Sequence, residues 1–426
     1  MNSPATALLC GVGLEVGFLL FSLKEDWPLR VNFFLVLYGV LFLLWLAAWK
    51  AQTIPLATLL GFAILFRLTL LPTIPSLSDD IYRYGWEGRI QRAGFSPYRH
   101  PPEAAELASL QDASWPRINH KNISTVYPML SQLAFRTGAY ITDLLRLAGP
   151  SRWKSAERWL IWTDVVGQKV VFVFFDLLTI LAVWKLMRHY GVDNRNLVLY
   201  AWNPLVVMEI SGSGHHDSLG ICMLTLGVLA WERGQEIWAG VGLAASFLSK
   251  YMSALLIPAA VLRGNWPLLG AWGALAITGL AVVRPPIVLV KGPAQYALNW
   301  QFNSSIYSIL QQLAGGHGYL AKTITAILGF AAMWGVARMT TGPASAAFWS
   351  IAVALLVSPT VYPWYFLWLT PFLCLFPNPA FLLWNGTIAL SYTVLARYRG
   401  LQVWDLNPTI QILEYLPVYA WLVLRR

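Results

Sequence analysis

Apolar runs of membrane-spanning length succeed one another along this chain, and that constrains its fold more than any other feature. The first three, near residues 5–22, 32–49 and 54–73, are each close to the roughly 20 residues that a bilayer requires. Only 12% of the 426 residues are charged and 57% are hydrophobic. A soluble domain carries about 25% charged residues. The pattern therefore predicts an all-α polytopic membrane protein, a single transmembrane domain over 1–426, with about eleven to thirteen helices. The 22 Trp and 18 Tyr suit a chain with many membrane–water interfaces, where amphipathic rings settle.

The net charge of +10 is read through the same frame. Lys and Arg at helix ends retain loops on the cytoplasmic side, so no nucleic-acid partner is expected. The three cysteines, Cys10, Cys222 and Cys374, lie in apolar stretches without a CxxC pattern. They read as small core hydrophobes rather than as a disulfide or metal framework. The first apolar run lacks a basic flank and a small-residue cleavage site, so it reads as a retained helix.

If three crossings precede it, residue 74 lies opposite the N-terminus. The polar stretch 74–125 then becomes a large extracytoplasmic loop with juxtamembrane helices, and 284–317 a second one. Within the first, a helix is expected over 79–93. Asp79, Arg83 and Glu87 form an i, i+4, i+8 ladder, with Tyr82, Trp86 and Ile90 as an aromatic stripe suited to the membrane surface. The ladder implies that Arg83 holds Asp79 ionised. Residues 126–147 read as a return to the membrane and 167–186 as a strong apolar helix carrying Asp176. Basic residues flank that last helix on both sides, Arg152, Lys154 and Arg158 before it and Lys185, Arg188 and Arg195 after it, which the positive-inside rule alone does not reconcile. A helix over 197–210 follows. The short runs 237–249 and 251–262, separated by Lys250, read as half-helices. Arg425 and Arg426 read as a cytoplasmic end.

Four constellations carry possible chemistry. Asp79 and Asp80 adjoin a membrane helix, where charge is costly. They suit a general base that takes a proton from a sugar hydroxyl, or a shared proton or cation site; helix capping is the plainer alternative. Gly214-His215-His216-Asp217 supplies contacts for a phosphate or sugar, or is a polar interfacial turn. Its adjacent histidines point to different faces and do not make a zinc set. Tyr362-Pro363-Trp364-Tyr365 suits a stacking platform or an aromatic belt. Lys250 between half-helices can hold an anion, or it snorkels. Asp176 and Glu209 stand inside apolar runs and are functional candidates by position. No Walker A, GxGxxG or nucleophile elbow occurs.

Taken together and in order, these stretches resemble one family. Ser78-Asp79-Asp80-Ile81-Tyr82-Arg83-Tyr84-Gly85-Trp86-Glu87-Gly88-Arg89 resembles the first-loop signature of polytopic GT-C glycosyltransferases, most nearly the bacterial polyprenyl-phosphate-mannose-dependent α-(1→6)-mannopyranosyltransferases and more distantly the first mannosyltransferase of GPI-anchor assembly. Ala93–Tyr98, Ile118–His120 and Thr125–Pro128 continue it. Trp202-Asn203-Pro204 with Gly214–Asp217, and Ser358–Tyr365, are similar to the second and late signatures. His216 stands where the family often has Asn, and Tyr362 where it often has His.

The resemblance implies a GT-C fold and an inverting transfer of a sugar, mannose, from a polyprenyl-phosphate donor to a glycolipid or polysaccharide acceptor, on the outer side of the inner (cell) membrane. Asp79, or its neighbour Asp80, would be the base. Arg83, Arg89, His215, His216, Asp217, Lys250, Tyr362, Trp364 and Tyr365 would contact donor phosphate or sugar. No metal or other cofactor is implied, although a divalent cation could be accommodated. A lipid or small-molecule transporter or flippase is the alternative reading.

Overall fold

The computed structural model describes residues 4–51, 54–149, 156–283 and 287–424. These fold as helices joined by turns, with no strand among the described residues beyond an isolated bridge between Phe302 and Thr360. The expected all-α polytopic membrane architecture is what the chain adopts. Five helical segments are long and apolar enough to cross a membrane: Ala5–Ser22, Trp27–Lys50, Glu157–His189, Gly318–Met339 and Pro379–Leu401. Four shorter apolar ones accompany them: Leu56–Leu70, Met252–Leu262, Trp266–Ala281 and Pro343–Val357.

The first three apolar runs become α1 (Pro4–Ser22), α2 (Val31–Lys50) and α3 (Leu56–Leu70). They pack through Leu14, Phe18, Leu41 and Phe66, all fully or nearly fully buried. At the end of α3 the chain turns into α4 (Asp80–Arg92). The Tyr82, Trp86 and Ile90 stripe does not face lipid, because all three side chains are buried against protein. Residues Ile81 to Gly88 are buried without a gap. Gly88 makes this possible: a Cβ there would collide with the carbonyl of Phe135 on the next long helix.

That next helix, α5 (Met129–Ala148), is not among the segments long and apolar enough to cross a membrane. Its buried face carries Ser131, Gln132 and Thr142, packed on α4 and on α6 (Glu157–His189). Arg146 reaches from it to Asp164 of α6 at 3.0 Å. At 33 residues α6 is longer than a bilayer needs by about ten. Its first turns therefore rise beside α4 and α5, and only its later part matches the helix read over 167–186. Arg158 and Arg188 stand at the two ends of this one helix, so the two basic groups fall on opposite ends of a single span and the positive-inside rule favours neither end. Arg152, Lys154 and the Arg425-Arg426 end lie outside the described residues.

The middle of α6 carries Asp176, fully buried and ion-paired to Arg67 of α3 at 2.6 Å. Tyr200 donates to its other oxygen at 2.6 Å, and Arg67 also donates to the Ala201 carbonyl at 2.7 Å. A buried pair with added hydrogen bonds is a structural clamp that breaks badly if one partner is lost. Asp176 is accounted for by this clamp.

The 197–210 run is broken rather than continuous. Val198–Ala201 and Pro204–Val207 are single turns, and Met208–Gly212 is a π-helical turn. Asn203 caps the second of these by accepting from Leu205 N. The π turn, a feature often found at functional sites, delivers Glu209 and leads into Gly214, whose φ of 77° is one that glycine adopts without strain. The half-helices are as expected: Glu236–Lys250 and the Met252–Leu262 segment meet at Tyr251, in the left-handed conformation. The stretch 284–317 is more ordered than a polar loop, containing helices Ile287–Asn299 and Ile306–Leu313.

A candidate active site beside paired aspartates

Asp79 and Asp80 stand where α3's exit meets α4. The plainer reading of Asp79, that it caps the helix, is not what happens. Its side chain makes no cap bond, and Ser78 Oγ instead accepts from Asp80 N at 3.3 Å. The two carboxylates are bridged by one amide: Asn119 Nδ2 donates to Asp79 Oδ1 at 2.7 Å and to Asp80 Oδ1 at 3.0 Å. Asn119 comes from the loop after the 3₁₀ turn Trp115–Arg117. Asp79 keeps open surface although protein packs densely around it. Desolvation there, and then the neighbouring Asp80 charge, push its carboxyl up to about 6, while the Asn119 bond pulls the other way. This reverses the expectation that Arg83 would hold Asp79 ionised.

Arg83 is occupied elsewhere. Its Nε meets Glu87 at 2.7 Å, and its two other nitrogens reach the carbonyls of His120 at 3.1 Å and Ile123 at 2.5 Å. Glu87, fully buried, also accepts from Thr125 Oγ1 at 2.8 Å and Gln132 Nε2 at 2.6 Å. This network ties the loop 119–125 down onto α4, so Arg83 holds Asn119's loop rather than facing a ligand. Arg89 is likewise engaged, by Asp112 and by Asp164 at 3.3 Å. Arg83 therefore has every guanidinium nitrogen engaged, whereas Arg89 is held through Nη1 alone and its Nε and Nη2 carry no hydrogen bond.

Three of the other predicted residues gather around the pair. His215 is fully buried, with Nδ1 3.9 Å from Asp80 Oδ2 and Nε2 3.1 Å from Glu209 Oε2. Glu209 in turn accepts from Tyr392. The His215 ring stacks on Trp364 at 4.0 Å, Trp364 on Tyr362 at 4.5 Å, and Tyr362 on Phe302 at 4.7 Å. Four near-parallel rings thus form one pile beginning beside Asp80. The proline-bracketed segment is therefore a stack within the protein and not merely a belt facing lipid. Tyr362 also lies within electrostatic reach of both Asp79 and Asp80.

Lys250 and Asp217 form the opposing charge centre. Lys250 Nζ meets the two Asp217 oxygens at 2.7 and 2.8 Å, and Trp368 Nε1 donates to the same carboxylate at 2.6 Å. The ammonium lies 4.7 Å from the ring centroid of Tyr365, and its side chain remains 18% exposed. Tyr365 and Tyr296 share a hydroxyl–hydroxyl bond, and Tyr296 lies within reach of both Asp80 and Asp217. The two charge centres are therefore walls of one region. His216 lies behind this region, within electrostatic reach of Lys250 and Asp217. Its ring is boxed edge-on by Tyr84, Tyr127 and Phe135, at 4.8 to 5.4 Å, where it packs as a buried ring.

Residues beyond those predicted also line the region. Asn119 was visible within Ile118–His120 but carried no role there. Glu209 was singled out only as an intramembrane acid. Arg117 donates to Tyr82 Oη at 3.1 Å, and Arg399 lies near enough to Asp79 to favour its charged form. Only the fold brings Arg399 here, some 320 positions from Asp79 in the sequence. Among the described residues no group of three or more His, Cys, Asp and Glu side chains is arranged to hold a metal ion.

The chain is similar in sequence to known proteins. The family model for the N-terminal domain of α-(1→6)-mannopyranosyltransferases matches residues 151–264, which contain His215, Asp217 and Lys250 but not the aspartate pair. Two curated relatives match. α-(1→6)-Mannopyranosyltransferase A of Mycobacterium tuberculosis is 23% identical over 378 residues, 78% of this chain and 68% of that protein. Its namesake in Corynebacterium glutamicum is 25% identical over 209 residues, 46% of this chain and 36% of that protein. The second match thus spans about a third of its relative's length. No solved structure matches. The chain is therefore an all-α polytopic membrane protein similar to the α-(1→6)-mannopyranosyltransferases, as its motifs implied.

Proposed function

We propose that this chain is an inverting glycosyltransferase that moves mannose from a polyprenyl-phosphate donor to a hydroxyl of a glycolipid or polysaccharide acceptor, on the outer face of the inner membrane. The observation that carries the reading is the bridged pair: two carboxylates on one Asn119 amide, with Asp79 held at about 6. A base is most effective with a pKa near the working pH, and an ordinary surface aspartate titrates about two units lower.

Asp79, the more open of the two, takes the proton of the acceptor hydroxyl. That oxygen attacks the anomeric carbon from the face opposite the phosphate. The carbon–oxygen bond to phosphate breaks, its electron pair leaves with polyprenyl phosphate, and configuration inverts. Asp80, facing His215, holds the pair's shared charge and orients the site. The sugar ring lies against the edge of the aromatic pile, whose faces suit the apolar side of a pyranose.

The leaving phosphate gathers negative charge, which a prepositioned cation stabilises most effectively in a dry site. Lys250 is suited to this because Asp217 and Tyr365 fix its position while part of its side chain stays open. The reading requires no metal, since one lipid monophosphate is a smaller charge to neutralise than a nucleotide diphosphate. The similarity to named mannopyranosyltransferases favours transfer chemistry over transport. The test is transfer of label from polyprenyl-phosphate mannose to a glycan acceptor by the purified chain in detergent. Flux of lipid-linked sugar across liposomes without transfer would overturn it.

A further inference from the structure

The far end of α6 carries a second polar feature that the transfer chemistry does not use. A pocket of about 400 Å³ opens there, lined by Trp184, Lys185, Arg188, His189 and Arg233. It lies on the opposite face of the molecule from the aspartate pair, since Asp164 near the start of α6 joins Arg89 beside the loop region. The 33 residues of α6 separate its ends by about 50 Å.

The pocket is electropositive and uncompensated. Among the described residues no carboxylate lies within ion-pair distance of Lys185, Arg188 or Arg233. The acids nearest in sequence are committed elsewhere. Glu232 accepts from Tyr190 Oη at 2.5 Å and Ala344 N at 2.7 Å, and Asp193 accepts from Arg195 N at 2.8 Å. The guanidinium of Arg188 lies over the Trp184 ring at 5.3 Å, and Trp184 is anchored by Asn194 at 3.1 Å.

Directly toward the membrane the surface is apolar. Phe174, Leu181 and Arg188 recur at seven-residue spacing on α6, hence on one face, with Phe174 and Leu181 about half exposed. Leu226 and Arg233 have the same seven-residue spacing at the end of the Asp217–Glu232 helix, Arg233 being its C-cap, and that helix packs against α6. Cations above an apolar stripe, with a Trp at the boundary, complement a molecule with an anionic head and a hydrocarbon tail.

We propose that this pocket is a binding site for an anionic phospholipid, its headgroup phosphate held by Arg188, Arg233 and Lys185 and an acyl chain lying along Phe174 and Leu181. The site is separate from the aspartate pair and does not depend on the transfer reading. Each arginine near an anionic membrane surface strengthens binding about fivefold. The test is native mass spectrometry of the full chain in detergent, titrated with phosphatidylglycerol or phosphatidylcholine. Wild type is expected to retain phosphatidylglycerol selectively. R188A/R233A is expected to lose that retention by about 30-fold, while K24A, an exposed cation elsewhere, keeps it. Thermal unfolding of R188A/R233A without added lipid should match wild type, which separates lost binding from lost fold. Equal retention by R188A/R233A, or equal retention of phosphatidylcholine, would overturn the proposal. So would displacement of the lipid by millimolar inorganic phosphate, which would mark a free-phosphate site instead.

Discussion

Replacing Arg83 by methionine tests whether this arginine positions the acid site through the loop 119–125. The side chain is almost fully buried and satisfies three acceptors: Glu87, and the carbonyls of His120 and Ile123. Methionine keeps the apolar stem and removes all three bonds. It leaves Glu87 buried with only Thr125 and Gln132 as donors. Breaking a buried ion pair from one side costs about 3–5 kcal/mol. At about 2 °C per kcal/mol for a chain of this size, the unfolding midpoint should fall by about 8 °C. Intrinsic fluorescence of the 22 tryptophans in detergent reads this directly. Because Asn119 precedes His120 by one residue, the same change loosens the amide that bridges Asp79 and Asp80. Transfer should therefore fall even at temperatures where the variant is folded. R83M/E87Q, which removes the orphaned charge as well, should recover much of the midpoint but little of the rate. A midpoint and rate for R83M equal to wild type would refute the positioning role. Full recovery of rate in the double variant would show that only the charge imbalance mattered.

Other consequences concern the site itself. Transfer should rise with pH through about 6, because the base works only when ionised and Asp79 titrates there; initial rates from pH 5 to 8 measure this. N119A removes a bond that favours the charged form, so the inflection should move upward, whereas D80N removes a repelling charge and should move it downward. The stability sign is opposite to that of an ordinary paired acid. A carboxyl raised in the fold penalises the ionised state as pH rises from about 4 to about 6, so D79N at pH 7 should unfold no lower than wild type. K250M strands the buried Asp217 and should lower the unfolding midpoint. K250M/D217N should restore that midpoint without restoring transfer, as measured by paired melting and label-transfer assays. W364A opens the ring pile next to His215 and should raise KM for the donor about five- to tenfold, on the scale of one aromatic contact.

Several features were legible from the chain alone because they are local. Lys250 between two short apolar runs marked the half-helices, and Tyr251's left-handed turn is where they meet. The aspartate pair stood out because carboxylates beside a membrane helix need a reason. What escaped was decided by distant partners. Arg83 has acids at i−4 and i+4, and spacing cannot choose between them. Asn119 claims Asp79, so Arg83 turns to Glu87. Arg89 looked free until Asp112 and Asp164 closed on it from 23 and 75 residues away. The segment 126–147 read as membrane because its apolar residues are numerous. The buried face of that helix nonetheless carries Ser131, Gln132 and Thr142, while its exposed face mixes Leu133, Leu144 and Leu147 with Arg136. The aromatic stripe of α4 had the same ambiguity: rings at helical spacing serve lipid or protein equally, and Gly88 beside Phe135 decided for protein.

The central claim is that the aspartate pair takes the acceptor's proton. The most direct measurement is the single-turnover rate of mannosyl transfer from radiolabelled polyprenyl-phosphate mannose by purified wild type, D79N and D80N at matched folded concentration. Loss of a positioned general base costs about 10²–10⁴ in rate. The account predicts a fall of that size for D79N with donor binding retained, and a smaller fall for D80N. Rates for both variants within about twofold of wild type would contradict it.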